Sequence, residues 1–130
     1  KLVIAADQVL ECEGHLFSKP SSLTEVKTQL FNLQGKPHNL ISAVSAAKSG
    51  KSFWRHSDVA RLAMRVLSDR FIDNYIQQEG EGLLSSVGGY KIERSGVLLF
   101  DEVNGSFFTI LGVPLLQLLA FFREQKILLQ

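Results

Sequence analysis

The chain has 130 residues, with 14 Lys and Arg against 13 Asp and Glu and a formal charge of +1. That length gives one domain with a core of ordinary size. The balance of charge excludes a broad electrostatic grip on nucleic acid or anionic lipid and leaves room only for a local basic site. No apolar run approaches the ~20 residues that span a bilayer, and the one cysteine, Cys12, excludes an intrachain disulfide framework, in keeping with a reducing, cytoplasmic setting.

The chain starts at Lys1 and enters an apolar run at once. Leu2 to Leu10 reads as a buried strand, with the expectation that its preceding partner lies outside the sequence. Glu11 to His15 reads as a turn. Ser22-Leu23-Thr24-Glu25 has capping-box spacing, Leu23, Val26, Leu30 and Leu33 follow at helical intervals, and Gly35 ends the helix. His38 to Ala47 reads as a strand, Lys48 to Lys51 as a hairpin tip, and Phe53 onward as a long strand with Ala60, Leu62, Met64 and Val66 on one face.

Ser68 caps a second helix with Phe71, Ile72, Tyr75 and Ile76 as its apolar stripe. Glu79 to Gly82 reads as a mobile connector, Ser85 to Gly89 as a loop, and Val97 to Phe100 as a short buried strand. Asn104-Gly105 is a strong hairpin signal, which makes Phe107 to Leu111 the return strand. Pro114 leads into a last helix, Leu115 to about Leu128. The whole predicts an α/β layer structure with a mixed, partly antiparallel sheet and flanking helices.

Asp7, at the end of an apolar strand, sits where open α/β sheets place ligands. It suits a magnesium ligand or a proton acceptor, and equally a turn or capping aspartate. Lys19 before a helix start reads as an anion contact or a solvated loop lysine. Ser45 to Ser52 lies one residue from a phosphate loop, but a strand-like segment follows where a helix is needed, so it reads as a polar hairpin tip. Cys12 and His15 have no second ligand pair, and neither His38 nor His56 has a nucleophile motif beside it. Tyr90 to Arg94 forms a glycine-flanked loop of the kind that wraps a nucleotide or simply turns.

In order along the chain, Val3-Ile4-Ala5-Ala6-Asp7-Gln8, Ser18-Lys19-Pro20, Leu33-Gln34-Gly35-Lys36-Pro37-His38, Gly88-Gly89-Tyr90-Lys91-Ile92-Glu93, and Asn104-Gly105-Ser106 with Leu111-Gly112-Val113-Pro114-Leu115 resemble the motifs of the Maf family of nucleotide pyrophosphatases, named for an effect on septum formation. The resemblance implies an ITPase-like architecture and hydrolysis of a nucleoside triphosphate to a monophosphate and pyrophosphate with Mg2+ or Mn2+. It implies that Asp7 is the catalytic carboxylate, acting as base or metal ligand, that Lys19 contacts phosphate, and that Gln8 and Glu93 select the nucleobase, with Tyr90 and Lys91 on the same substrate site. The Gln8, Glu93 and Lys91 combination resembles the subgroup acting on 7-methyl-GTP. A homodimer, and no nucleic-acid or membrane partner, are the further implications.

There are departures. The family's opening strand and Ser-x-Ser-x-Arg-Arg phosphate loop are absent from residues 1–130, which are therefore read as a single, N-terminally incomplete domain of low activity. Ser85-Ser86 stands for an Asp-Lys or Asp-Cys pair, and Arg94 stands for a glycine and is expected to crowd or recharge the pocket. The alternative function is a non-catalytic nucleotide-binding or protein-interaction relic.

Overall fold

The computed structural model describes residues 1–127. Strands β1 (Leu2–Cys12) and β2 (His15–Phe17) form a hairpin. Helix α1 (Leu23–Leu33) follows, then β3 (Pro37–Lys48) and β4 (Lys51–Met64), helix α2 (Asp69–Glu79), a run of 3₁₀ turns between Gly80 and Leu99, β5 (Phe100–Asn104), and helices α3 (Phe107–Leu111) and α4 (Leu115–Glu124). The sheet has five strands in the order β2-β1-β3-β4-β5, and every described pairing is antiparallel. The α/β class with flanking helices is as the sequence indicates, but the described sheet holds no parallel pair. No described helix is long and apolar enough to cross a membrane.

The local signals translate directly where they are strongest. Ser22 accepts the Glu25 N–H at 3.1 Å and Ser68 accepts that of Phe71 at 3.1 Å, so both helices start where their caps predict. Glu25 returns its carboxylate to Ser21 Oγ, so only half of the capping box forms. The Lys48–Lys51 segment is the tip of the β3–β4 hairpin, with Ser49 and Gly50 both at positive φ, as its rejection as a phosphate loop requires.

Alternation in β3 puts His38, Leu40, Ser42, Val44 and Ala46 on one buried face. Near Leu40 that face meets α1 and α2 in a core that includes Leu10, Val26, Leu30, Leu62 and Ile72. Near Ala46 it meets α4 in a smaller core of Val44, Ala46, Leu118 and Phe121, with Trp54 stacked on Phe121 at 4.3 Å.

Several expectations are corrected. The start of β1 is not buried: Val3 is 53% and Ile4 37% exposed, because β2 pairs only with Leu10 to Cys12 and the helices cover its far end. Val66 is exposed, as β4 ends at Met64. The Glu79–Gly82 connector is a 3₁₀ segment, Gly80–Ser85, anchored by fully buried Leu83. Ser95–Leu99 is also 3₁₀ rather than strand, and Val97 and Leu98 are exposed.

Asn104-Gly105 does not close a hairpin. Gly105 has φ 136° and lies so close to β4 that a Cβ would stand 2.7 Å from the Ala60 Cβ. The chain crosses the sheet there instead of doubling back, and Phe107–Leu111 becomes α3. The last helix ends at Glu124, and Leu128 lies outside the described residues.

Candidate functional site

Beside the exposed half of β1 lies a cavity of about 290 Å³. Asp7 and Gln8 of β1 meet Lys19 from the segment before α1, Ser85, Ser86, Tyr90, Lys91 and Glu93 from the 3₁₀ region, and Ile110 to Gly112 from the end of α3. All six residues singled out in sequence, Asp7, Gln8, Lys19, Tyr90, Lys91 and Glu93, therefore line one space, although up to 86 positions separate them.

Gly88 and Gly89 make this possible. Both have positive φ, and a Cβ would come within 2.7 Å of Leu10 Cδ1 at the first and 2.9 Å of Val26 Cγ1 at the second. Only a bare backbone passes between β1 and α1 at that distance, and it delivers Tyr90 to Glu93 to the edge of β1.

Each lining side chain has a distinct setting. The exposed Asp7 carboxylate accepts the Gln8 backbone N–H at 2.9 Å. Lys91 Nζ donates to Ser85 Oγ at 3.0 Å and to Ser86 Oγ at 2.9 Å. The two serines that stand where the resemblance predicts an Asp-Lys or Asp-Cys pair are thus a cradle for a lysine five or six positions on. Lys19 and Glu93 are exposed at the rim.

Tyr90 is buried, and its hydroxyl is spent on His38 Nε2 at 2.8 Å. Burial pushes the Tyr90 phenol far up and the His38 imidazole down to about 4, so both are neutral at physiological pH. His38 Nδ1 has no partner among the described residues. Tyr90 thus lines the cavity while its hydroxyl is held in the core.

Arg94 does not crowd the pocket. Its Nε donates to Glu79 at 2.6 Å, beside a 2.7 Å bond from Ser95 Oγ to the same carboxylate. The Ser95 and Arg94 bonds hold Glu79 below the usual carboxylate range. A turn forms where Lys91 O accepts the N–H groups of both Arg94 and Gly96, and it leaves Arg94 outside the cavity lining.

The cavity carboxylates are Asp7 and Glu93. No three His, Cys, Asp or Glu side chains converge among the described residues, so the chain offers no all-protein metal cage there. A hard divalent cation of the magnesium type does not need one, since it is commonly held by one or two carboxylates together with substrate phosphates and water. Asp7 fits that habit. Cys12 and His15 face each other across the β1–β2 turn, but the buried thiol donates to Pro37 O at 3.5 Å and burial raises its pKa. They are the last residue of β1 and the first of β2, the strand pair that flanks the turn.

Sequence reasoning misses a polar network behind the cavity. Gln8 Nε2 donates to Thr109 O at 3.1 Å, Ile110 O at 2.9 Å and Ser42 Oγ at 3.2 Å. Ser42 Oγ donates to Thr109 O at 2.6 Å, and Thr109 Oγ1 donates to Asp58 Oδ2 at 2.8 Å. The one signal is the buried position of Ser42 in an otherwise apolar alternation, Leu40, Val44 and Ala46.

A family model described as "Maf-like protein" matches residues 1–125. A nucleoside triphosphate pyrophosphatase of Paramagnetospirillum magneticum is 47% identical over 123 residues, which is 95% of this chain and 63% of that protein. One of Caulobacter vibrioides is 48% identical over 122 residues, covering 94% and 61%. A 7-methyl-GTP pyrophosphatase of Brucella abortus is 44% identical over 125 residues, covering 96% and 63%. The chain thus spans a little over three-fifths of the length of these relatives.

Proposed function

The chain belongs to the Maf-like family, and from that premise we propose that its cavity is a nucleoside triphosphate pyrophosphatase site. The observation that carries the reading is the gathering of Asp7, Gln8, Lys19, Lys91 and Glu93 around one space. Two of the similar relatives carry the name nucleoside triphosphate pyrophosphatase, which supports the same activity here.

In this reading Lys19 and Lys91 take the negative charge of the triphosphate. The serine cradle holds the Lys91 ammonium without cancelling its charge, because hydroxyls only accept from it. Water attacks the α-phosphorus, the bond to the bridging oxygen breaks, and pyrophosphate leaves the monophosphate behind. Asp7 is the carboxylate assigned to the water proton or to a cation. A bound Mg2+ or Mn2+ would rest on Asp7 and phosphate oxygens and would neutralise charge on the transferred group. Gln8 and Glu93 have the separate task of reading the base: a carboxylate suits the N–H edge of a guanine and the cationic ring of its 7-methyl form. That makes 7-methyl-GTP the favoured substrate over UTP or dTTP, and the Brucella relative's name supports the choice.

Asp7→Asn lowers pyrophosphate release by roughly 10²- to 10⁴-fold while the protein still binds nucleotide. An unchanged rate sinks the catalytic assignment, and turnover of UTP far above 7-methyl-GTP sinks the base assignment.

A second reading is a nucleotide-binding domain without turnover. It is favoured by the cation supply: Lys19 and Lys91 are the lysines on the described cavity wall, and no arginine joins them. Low activity of this polypeptide fits that count, and binding of a triphosphate without pyrophosphate release would establish it. Two further expectations belong to the proposal. The free cysteine and a nucleotide substrate both suit a cytoplasmic protein. The exposed half of β1 is open to strand pairing by a second copy, which light scattering would detect as a dimer.

A further inference from the structure

The Gln8 amide has a fixed polarity. Around its nitrogen stand two backbone carbonyls, Thr109 O and Ile110 O, and a serine oxygen whose own proton is given to Thr109 O. Carbonyl oxygens only accept. A flipped amide would set Oε1 against both of them, so the network chooses the orientation. Oε1 has no protein donor among the described residues and is not one of the buried unpartnered atoms, so it stays accessible on a residue that lines the cavity.

The acceptors belong to α3, a helix of Phe107–Leu111 that is too short to be stable by itself. Its place over the sheet is held by polar bonds from three strands. Gln8 on β1 and Ser42 on β3 donate into its carbonyls, and Asp58 on β4 accepts from the Thr109 hydroxyl. Thr109 and Ser42 are both fully buried, so each bond of this network is made out of contact with water, where a hydrogen bond is costly to lose.

We propose that Asp58, Thr109 and Ser42 are positioning residues that fix α3 and thereby lock the Gln8 amide with its carbonyl oxygen toward the ligand. The functional part rests on the nucleotide reading above. With its N–H groups committed to the protein, Gln8 acts as an acceptor only, as does the Glu93 carboxylate on the same cavity. Such a site selects a ligand edge that donates. Guanine offers N1–H beside its 2-amino group, whereas adenine offers a lone-pair nitrogen beside its amino group. The relay is thus a determinant of base class.

The test combines side-chain amide exchange by NMR with calorimetric titration of GMP and AMP, on wild-type protein and on Ser42→Ala, Thr109→Val and Thr109→Ser. Dispersed spectra confirm folding, and Ser42→Ala is the milder change if Thr109→Val does not fold. In the wild type the Gln8 side-chain protons exchange more slowly than those of exposed Gln77 and Gln117. Ser42→Ala and Thr109→Val each remove a bond that holds α3 and leave the Thr109 and Ile110 carbonyls to Gln8, so they reduce that protection and lower the GMP-over-AMP affinity ratio by up to about tenfold, the scale of one hydrogen bond. Thr109→Ser keeps both. Unchanged protection in Ser42→Ala and Thr109→Val, or a Thr109→Ser variant that behaves like Thr109→Val, overturns the relay whatever the protein binds. Protection that depends on Ser42 and Thr109 in a protein that binds neither nucleotide upholds the relay and overturns the nucleotide reading.

Discussion

His38 shows how one buried side chain constrains both stability and the site. Its ring is 1% exposed, one nitrogen is bonded to Tyr90 and the other has no described partner. Burial holds its pKa near 4, below the ordinary value of 6.5. The unfolded chain therefore takes up a proton that the folded chain refuses, and stability falls as pH drops from about 6.5 toward 4. The full loss is roughly 3 kcal/mol, at ~1.4 kcal/mol for each tenfold difference in proton affinity between the folded and unfolded chain. Urea melts at pH 7 and pH 5 should show the decline, and His38→Gln should flatten it. Tyr90→Phe separates packing from binding: it costs about 1–3 kcal/mol by orphaning His38 but leaves nucleotide affinity within about twofold, because the hydroxyl is turned to the core. A large loss of affinity in Tyr90→Phe would place that hydroxyl in the substrate site instead. Lys91→Met, by contrast, should weaken triphosphate binding about tenfold or more with little change in melting temperature, as one charge-assisted contact is worth ~1.5–3 kcal/mol.

At the scale of elements, legibility follows the range of the interactions. Helix α1 is readable because Ser22, Glu25, Gly35 and the Leu23–Leu33 stripe all act within a few residues of one another. The β3–β4 hairpin is readable from Ser49-Gly50 and the alternation on either side. Phe107–Leu111 misleads because Phe-Phe-Thr-Ile-Leu suits a strand by composition, and what makes it a helix is distant: the approach of Gly105 to Ala60 and the bonds from Gln8, Ser42 and Asp58. Asp7 and Lys19 are marked by local setting, at a strand and before a helix start, but only motif resemblance groups the cavity residues into one site. Ser42, Asp58 and Thr109 carry no motif and escape notice in the sequence. Gly88→Ala tests the element that joins the two halves of the site. The added methyl meets Leu10 Cδ1 at 2.7 Å on a φ of 82°, so the expected cost is about 1–3 kcal/mol with loss of nucleotide binding. Retained stability and affinity would show that the Gly88-Gly89 passage is not what sets the cavity.

At the scale of the whole molecule, the described residues form two cores along the sheet, and the site belongs to the larger. Trp54, the only tryptophan, reports on the smaller through its stack with Phe121. Phe121→Ala should cost about 3–5 kcal/mol and shift Trp54 emission to the red, while nucleotide affinity holds, because no residue of that core lines the cavity. Whether the cavity is a triphosphate site is decided by calorimetric titration with a non-hydrolysable nucleoside triphosphate, in the wild type and in Lys19→Ala. One molecule should bind per chain, with affinity at least about tenfold weaker once the Lys19 charge is gone. No binding to the folded wild type, or binding indifferent to Lys19, would contradict it.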